Sequence, residues 1–504
     1  MQDRFLRLTD ALSNGLHERT DALKLGLLAL LSGESLFLLG PPGTAKSLLA
    51  RRLKGALHGA RAFEYLMGRF STPEEIFGPF SIAGLRDRDV FERRTTGYLP
   101  EADVAFLDEV WRASPPIQNT LLTILNEKRF RNGGHELSVP LKLLVAASNQ
   151  GPHGEESADA FWDRFTFRLE ISPLAQQESF HALVVETGDL YHPKVAEGDA
   201  WTPEEWDTWQ TAIDLVEVPN AVVSALWSLR TNLSGGETPV LISDRRWKKA
   251  SRVIRACASV HGRAWVDGQD LAILQHVLWD RPEQRLLVAA ELEKVLAEEG
   301  WVSPVPLGEL EAAVDQLQDD WKALTVEQAT VVQPSPLLFD GEYYALIGYP
   351  GDSQARVWAQ DWGLLTPDQE LDGELFFFSP AGPFRYSEPH SLRATGASAE
   401  VEVDGRLFAL ESQQKETLVS RQITPRAEPL KQWKSRLKAL REQTLQARTQ
   451  VERFRKEKLQ AGMEHIFCPS WAQICARGLE RDDADLGELL VRLETLLDAR
   501  DTFE

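Results

Sequence analysis

Eight consecutive residues, Gly40-Pro41-Pro42-Gly43-Thr44-Ala45-Lys46-Ser47, bring backbone freedom, a cation and a hydroxyl together in one short stretch. Glycines let backbone N–H groups turn inward toward an anion, and a helix N-terminus adds a favourable dipole. In such a cradle Lys46 reaches the terminal phosphates of a nucleotide and the Ser47 hydroxyl holds Mg²⁺. The stretch departs from the usual G-x-x-x-x-G-K-[ST] spacing by placing Ala45 before the lysine. An alanine is tolerated there if its φ is negative, as the first turn of a helix supplies. Two more polar groups extend the chemistry from binding to hydrolysis. Asp108 is suited to holding Mg²⁺ through water, and Glu109 to polarising an attacking water. Asn149 is suited to touching that water or the γ-phosphate.

These side chains must be carried to one place. Leu36-Phe37-Leu38-Leu39 reads as a short buried strand before the Gly-rich turn, and Leu48 to Leu53 has helical spacing after it. Val104 to Leu107 is a second apolar run ending in Asp108-Glu109, and Leu141 to Ala147 a third ending in Ser148-Asn149. On buried parallel strands such endings fall at the C-terminal edge of the sheet, where open α/β sheets bind ligands. Either run alone also reads as a buried strand with a polar end. Three in order, each ending in a suitable group, point to one site.

The wording of these segments, GPPGTAKS, FLDEVWRASPPIQNTLLTILNEKRFRNG and LLVAASN, resembles the MoxR branch of the AAA+ ATPases. FEYLMGRFSTPEEIFGP at Phe63 to Pro79 adds similarity to the RavA group within that branch. The resemblance covers about the first half of the chain, and Ala45 is shared by the branch. It implies an ATP hydrolase that uses Mg²⁺, assembled as a homo-hexamer, remodelling or activating a protein client with a von Willebrand factor A (VWA) domain partner. It also implies a trans arginine finger, mapped onto Arg164 of the Asp-Arg-Phe triplet with Arg168 as the fallback. A sensor arginine reaching the γ-phosphate in cis maps onto Arg245, with Arg246 one residue on. Two hairpins, within Phe80 to Tyr98 and around Arg129 to Gly134, are expected to face a ring channel. Arg129 and Arg131 then line it or stand as solvated charge. In the RavA group a β module docks a metabolic enzyme, in some relatives a lysine decarboxylase; no stretch here matches that docking domain.

Composition sets outer limits. With 504 residues the chain holds more than one domain. A formal net charge of −21 speaks against a general nucleic-acid binder, because phosphate neutralisation dominates that affinity. Cys257, Cys468 and Cys475 are too few and too badly spaced for a zinc site or a disulfide framework, which suits a reducing cytoplasm. No apolar run approaches the ~20 residues of a membrane span, so membrane association is expected only through a partner.

The whole reads as an α/β P-loop AAA+ module, a parallel sheet with helices on both faces. To it are added an all-α lid, a C-terminal helical domain and a small inserted β-rich domain. The nucleotide-binding subdomain is assigned to 1–190, opening with one amphipathic helix through Phe5, Leu8, Leu12, Leu16 and Leu23. The all-α lid and helical segment cover 191–300 and a further helical segment 301–329. A β-rich partner-binding module covers 330–425, and the C-terminal helical segment 426–504 pairs with the earlier helical segments. The module holds short apolar strands separated by Gly, Pro and Asp turns and a hairpin at Asp404-Gly405, with no catalytic constellation. The helix after Pro429 carries a stripe of apolar residues and the chain's one basic surface. A nucleic-acid-stimulated motor and a non-hydrolysing nucleotide-gated scaffold are the alternative functions.

Overall fold

The computed structural model describes residues 1–151, 160–187, 195–365, 369–379, 383–395 and 399–501. The assigned 190/191 domain boundary lies outside the described residues. Seven strands belong to the first part of the chain: β1 (Leu36–Leu39), β2 (Ala62–Leu66), β3 (Val104–Asp108), β4 (Arg129–Asn132), β5 (His135–Ser138), β6 (Leu143–Ser148) and β7 (Phe167–Glu170). Five of them form a parallel sheet in the order β2-β3-β6-β1-β7. All four residues of β1 and all six of β6 are buried. A parallel strand covered on both faces has no polar side, and the continuous apolar runs follow from that. β1 lies between β6 and β7, so its C-terminal end opens beside that of β6, with β3 next in order.

Helices cover the sheet. The opening amphipathic stretch is two helices, Gln2–Ser13 and Thr20–Ser32, rather than one. Gly15 at φ +75° and Glu18 at φ +55° turn the chain between them, while Phe5, Leu8, Leu12, Leu16 and Leu23 all stay in the core. The stretch Phe80 to Tyr98 is not a hairpin. Ser81 Oγ accepts from the backbone N–H of Gly84 at 3.0 Å and starts a helix, Ile82–Arg88, leaving one antiparallel bridge between Phe80 and Arg93. Local capping there wins over the alternation of apolar and charged residues. The second expected hairpin is present as β4 and β5, with Arg129 paired to Glu136 at 2.7 Å.

Two compact units divide the chain, Met1–Leu307 with Thr444–Glu488, and Gly308–Gln443 with Leu489–Glu504. In the first unit Thr202 and Glu205 form a reciprocal capping box on the helix Pro203–Leu215. In the second, Trp321 packs on Trp433 with ring centroids 4.4 Å apart, and Trp433 Nε1 donates to the Leu317 carbonyl. Its β module begins and ends in an antiparallel ribbon, β8 (Val326–Pro336) against β16 (Ser412–Gln422). Between them run β9 (Leu338–Phe339), β10 (Tyr343–Ile347), β11 (Gln354–Trp358), β12 (Leu371–Phe378), β13 (Phe384–Ala394), β14 (Glu400–Val403) and β15 (Arg406–Leu410). The β10–β11 pairing closes this sheet on itself. Asp404 and Gly405, both at positive φ, make the β14–β15 turn.

The basic surface on the helix Ala427–Met463 is met by acids. Arg436 pairs with Asp320, Arg441 with Glu494, Arg448 with Asp483 and Arg455 with Glu480.

Cys257, His261, Asp270 and His465 form a buried hub that their spacing in the sequence does not announce. Their donor atoms lie within 4.8 Å of one another, a ligand-like arrangement. Hydrogen bonds nevertheless account for each of them. His465 Nδ1 accepts from the Cys468 and Phe467 backbone N–H groups at 3.1 and 3.3 Å, so Nε2 carries the proton and donates to Asp270 Oδ1 at 3.1 Å. The Cys257 thiol donates to the same oxygen, and Arg263 grips both carboxylate oxygens at 2.7 Å. His261 Nε2 accepts from the Ile466 N–H at 3.0 Å. Burial by itself would raise the Asp270 carboxyl; the bonds from His465 and Arg263 outweigh it and hold the group well below the usual carboxylate range.

Burial lowers His261 from 6.5 to about 4 and does the same to His276. In the unfolded chain both imidazoles take up protons near pH 6.5, whereas in the folded protein they stay neutral until about pH 4. Their contribution is therefore fully present above pH 6.5 and lost as the pH falls through that window. Thermal melts should show Tm falling by several degrees between pH 6.5 and pH 4; a flat profile would mean that these rings are hydrated in the native state.

Candidate functional site: a phosphate loop and an arginine cluster

The loop leaving β1 is shaped by close backbone contacts. Gly40 donates its N–H to Ser148 O on the neighbouring β6 at 3.1 Å. A Cβ on Gly40 would lie 2.2 Å from the Ile171 carbonyl oxygen, so only glycine lets the loop pass. Gly43 takes φ +80°. Ala45 takes φ +67°, in the left-handed region, and the helix Lys46–Lys54 starts only after it. The negative φ expected for Ala45 is thus overturned: the loop keeps the backbone that a glycine favours, at a cost to alanine of about 1–2 kcal/mol. Ala45→Gly should leave ATP affinity within about twofold and raise Tm by about 1–3 °C, relief of strain outweighing the added freedom of the unfolded chain. A lowered Tm in differential scanning calorimetry would contradict the strained loop.

The polar groups converge on this loop. Lys46 is buried, and Nζ donates to the Gly40 carbonyl at 2.7 Å, the Pro41 carbonyl at 2.8 Å and Asn149 Oδ1 at 3.0 Å. Asn149 Nδ2 donates to Glu109 Oε1 at 2.8 Å, so one amide spans the lysine and the glutamate. Ser47 Oγ donates to Asp108 Oδ2 at 3.1 Å, while Asp108 Oδ1 accepts the Glu109 N–H at 2.9 Å. Burial lowers the Lys46 ammonium, and the charges of Asp108 and Glu109 oppose that shift. A cavity of about 410 Å³ is lined by Pro42 to Leu48, Arg51, Asp108, Glu109 and Asn149. Hydroxyl and carboxylate oxygens side by side are the hard donors that Mg²⁺ takes, and Ser47 with Asp108 fits it.

Some residues here carry no motif. Arg19 donates to the Thr44 carbonyl at 3.3 Å and the Ser172 carbonyl at 2.5 Å, pinning the loop to the segment after β7. Glu18 accepts from the Ala175 and Gln176 N–H groups, and those bonds hold its carboxyl below the ordinary range. Arg112 Nε lies 3.7 Å from Glu109 Oε2. A charged pair at the start of a helix was the only signal for Glu18 and Arg19.

The arginines assemble elsewhere. Ser35, just before β1, donates from Oγ to the Arg164 carbonyl at 2.6 Å. The Asp163 carboxylate accepts from Arg245 and from Arg246, the latter at 3.0 Å, and Arg164 Nη1 stands 3.7 Å from it. Arg245 also lies 3.4 Å from Asn126 Oδ1. This group sits by the start of β1, whereas the phosphate loop leaves its end, about 13 Å of extended chain away. In this structure Arg245 bonds to Asp163 and Asn126. Arg168 is fully buried, bonded to Asp280, the Trp279 and Trp162 carbonyls and the Trp162 face, and the desolvation pushes its pKa down. Arg246 is equally buried and bonded to the Val277 carbonyl. Neither fallback can leave its place without an unpaired buried charge, so Arg164 and Arg245 are the two that face outward. Four guanidinium groups, Arg164, Arg168, Arg245 and Arg246, meet two carboxylates, Asp163 and Asp280. Among the described residues the cluster carries a surplus of two positive charges.

Residues 3–200 match the model of the MoxR domain in the MoxR-vWA-beta-propeller ternary systems, and residues 221–292 that of an AAA lid domain. Two uncharacterized Methanocaldococcus jannaschii proteins, MJ0812 and MJ0079, are 35% and 36% identical over 289 and 283 residues. Those matches cover 57% and 56% of this chain and 75% and 72% of the relatives. The chaperone MoxR1 of Mycobacterium tuberculosis is 28% identical over 184 residues, 32% of this chain and 46% of MoxR1. A putative ATPase from Cytophaga hutchinsonii, whose structure is solved, aligns at 18% identity with a TM-score of 0.47, covering 58% of this chain and 94% of its own. With a parallel sheet, a phosphate loop after β1, acids at the end of β3 and a lid, the chain belongs to the MoxR family of AAA+ ATPases.

Proposed function

We propose that the protein hydrolyses ATP, as a homo-hexameric ring, to remodel or activate a protein client. The observation that carries this reading is the single Asn149 amide joined to Lys46 on one side and Glu109 on the other. It links the residue that grips the phosphates to the one that activates water. Lys46 gives up its carbonyl partners to the β- and γ-phosphates; Ser47 and Asp108 hold Mg²⁺, which neutralises charge on the phosphate oxygens when bound. Glu109 takes up the proton of the attacking water, and Asn149 holds that water in line. Arg164, beside a carboxylate oxygen that Arg245 already occupies, is offered to the nucleotide of a neighbouring subunit, and Arg245 couples the lid to it.

A VWA-domain protein is the partner suggested by the description of the matching family model. The RavA-like plan, with a β module inserted between helices, supports a second partner, a metabolic enzyme among the candidates, docked on residues 330–425. The reading places the protein in the cytoplasm; among the described residues no helix is long and apolar enough to cross a membrane.

Lys46→Ala tests the site directly. It removes the buried ammonium and should abolish ATP binding measured by calorimetry while leaving the melting curve of the nucleotide-free protein cooperative. ATP affinity within about threefold of the parent would mean that the phosphate loop is wrongly assigned.

A further inference from the structure

We infer that Asp163 is a positioning residue that ties the arginine finger to the lid, so that the lid of one subunit governs hydrolysis in the next. The inference rests on the reading of Arg164 as the trans finger. Asp163 and Arg164 are consecutive, and the helix Asp244–Val260 of the lid opens on Arg245 and Arg246. Both lid arginines bind Asp163 twice over. Arg246 donates to carboxylate oxygen Oδ1 from Nε at 3.2 Å and from Nη2 at 3.0 Å, and Arg245 bonds to Oδ2. The Asp163 backbone carbonyl accepts from Arg245 at 3.0 Å and from Arg246 at 3.2 Å. The first turn of the lid helix therefore grips the residue before the finger by side chain and main chain together.

Arg164 is the underserved member of the cluster. Its backbone is fixed, by its N–H to the Phe161 carbonyl and its carbonyl to Ser35. Its guanidinium is not: Nε is buried with no hydrogen-bond partner among the described residues, and Nη1 reaches only to 3.7 Å from Asp163 Oδ2, the oxygen that Arg245 occupies. One carboxylate oxygen is thus contested by the lid arginine and the finger. When the lid helix shifts and carries Arg245 away, Oδ2 is free to draw Arg164 in. While Arg245 stays, Arg164 is left to find an anion outside its own subunit. A buried donor without a partner gives the side chain reason to move. The lid thereby sets whether the finger is held or offered, and that is a route for one active site to control its neighbour.

The test is a double-mutant cycle on the full-length, assembled protein, reading kcat at saturating ATP together with ATP affinity. Asp163→Asn keeps the shape and removes the charge that Arg245 and Arg246 grip, so the turn carrying the finger comes loose from the lid; kcat should fall about 10–100-fold, with ATP affinity unchanged. Asp163→Glu should recover part of the loss. Combined with Arg164→Ala, the Asp163 substitution should add nothing: the double variant should hydrolyse at the rate of Arg164→Ala alone. Two losses that multiply in the double variant, with a lowered Tm in Asp163→Asn, would overturn the inference and leave Asp163 a structural anchor of the lid. If Arg164→Ala by itself keeps the parent rate, the finger assignment falls first, and the inference with it.

Discussion

Subunits carrying Arg164→Ala are expected to assemble and bind ATP with parent affinity, yet to hydrolyse it on the order of 10³-fold or more slowly. The size follows from where the guanidinium acts. In phosphoryl transfer the charge spreads over the equatorial oxygens of the moving phosphoryl group, and a cation delivered in trans meets that charge only as it develops. Arg164 contributes little to its own fold, because its side chain lacks a strong partner. Removing it should therefore cost rate rather than stability. Mixing parent and variant subunits sharpens the measurement: each variant subunit should silence the site of one neighbour while its own site still turns over. Steady-state hydrolysis across a series of mixing ratios checks this, and a normal rate in the pure variant would dismiss Arg164 from the mechanism.

Glu109→Gln is expected to trap ATP. The amide is the same size, and its oxygen can still accept from Asn149 Nδ2, now 2.8 Å from the carboxylate. The contacts that hold Lys46 and the loop are untouched. What disappears is the base: an amide cannot take the proton of the attacking water, and general-base removal costs about 10²–10⁴ in rate. ATP affinity should stay within a small factor of the parent, with single-turnover cleavage slowed by that amount. Fast cleavage in the variant would move the role to another carboxylate. The backbone of Glu109 adds a reason to expect sensitivity here. It sits at φ +51°, in the strained region where active sites often store a required geometry.

The sheet, and the gathering of Lys46, Ser47, Asp108, Glu109 and Asn149 at one end of it, were legible because parallel strands buried on both faces write themselves as apolar runs, and each run led into one of these groups. The loop conformation was not. Ala45 read as negative φ because alanine avoids the left-handed region, but the close packing of Gly40 on Ile171 and the turn at Gly43 fix the path of the loop and override that preference. The arginines were legible as candidates and not as placements. Arg245 and Arg246 differ by one residue in sequence, yet one is half-exposed and the other is buried against Val277 and Asp163. Only tertiary packing decides which of two neighbours turns inward. The stretch 80–98 failed for a local reason, a serine cap that alternation alone does not weigh. The Cys257–Asp270–His465 hub was invisible because His465 lies 208 and 195 residues from the two partners it meets.

The ribbon of β8 and β16 has a consequence for how such a chain can change. Its two strands pair residue for residue from Val326 with Gln422 to Pro336 with Ser412. Everything between Pro336 and Ser412 thus begins and ends at adjacent points, so the rest of the chain meets the module as no more than the tip of a hairpin. Loop-closure entropy rises only slowly with loop length, so a large insert at such a tip costs the host little more than a small one. A lineage can trade one inserted module for another at that point and leave the folding problem of the flanking chain unaltered. The insert and its host can then evolve on separate schedules within one polypeptide.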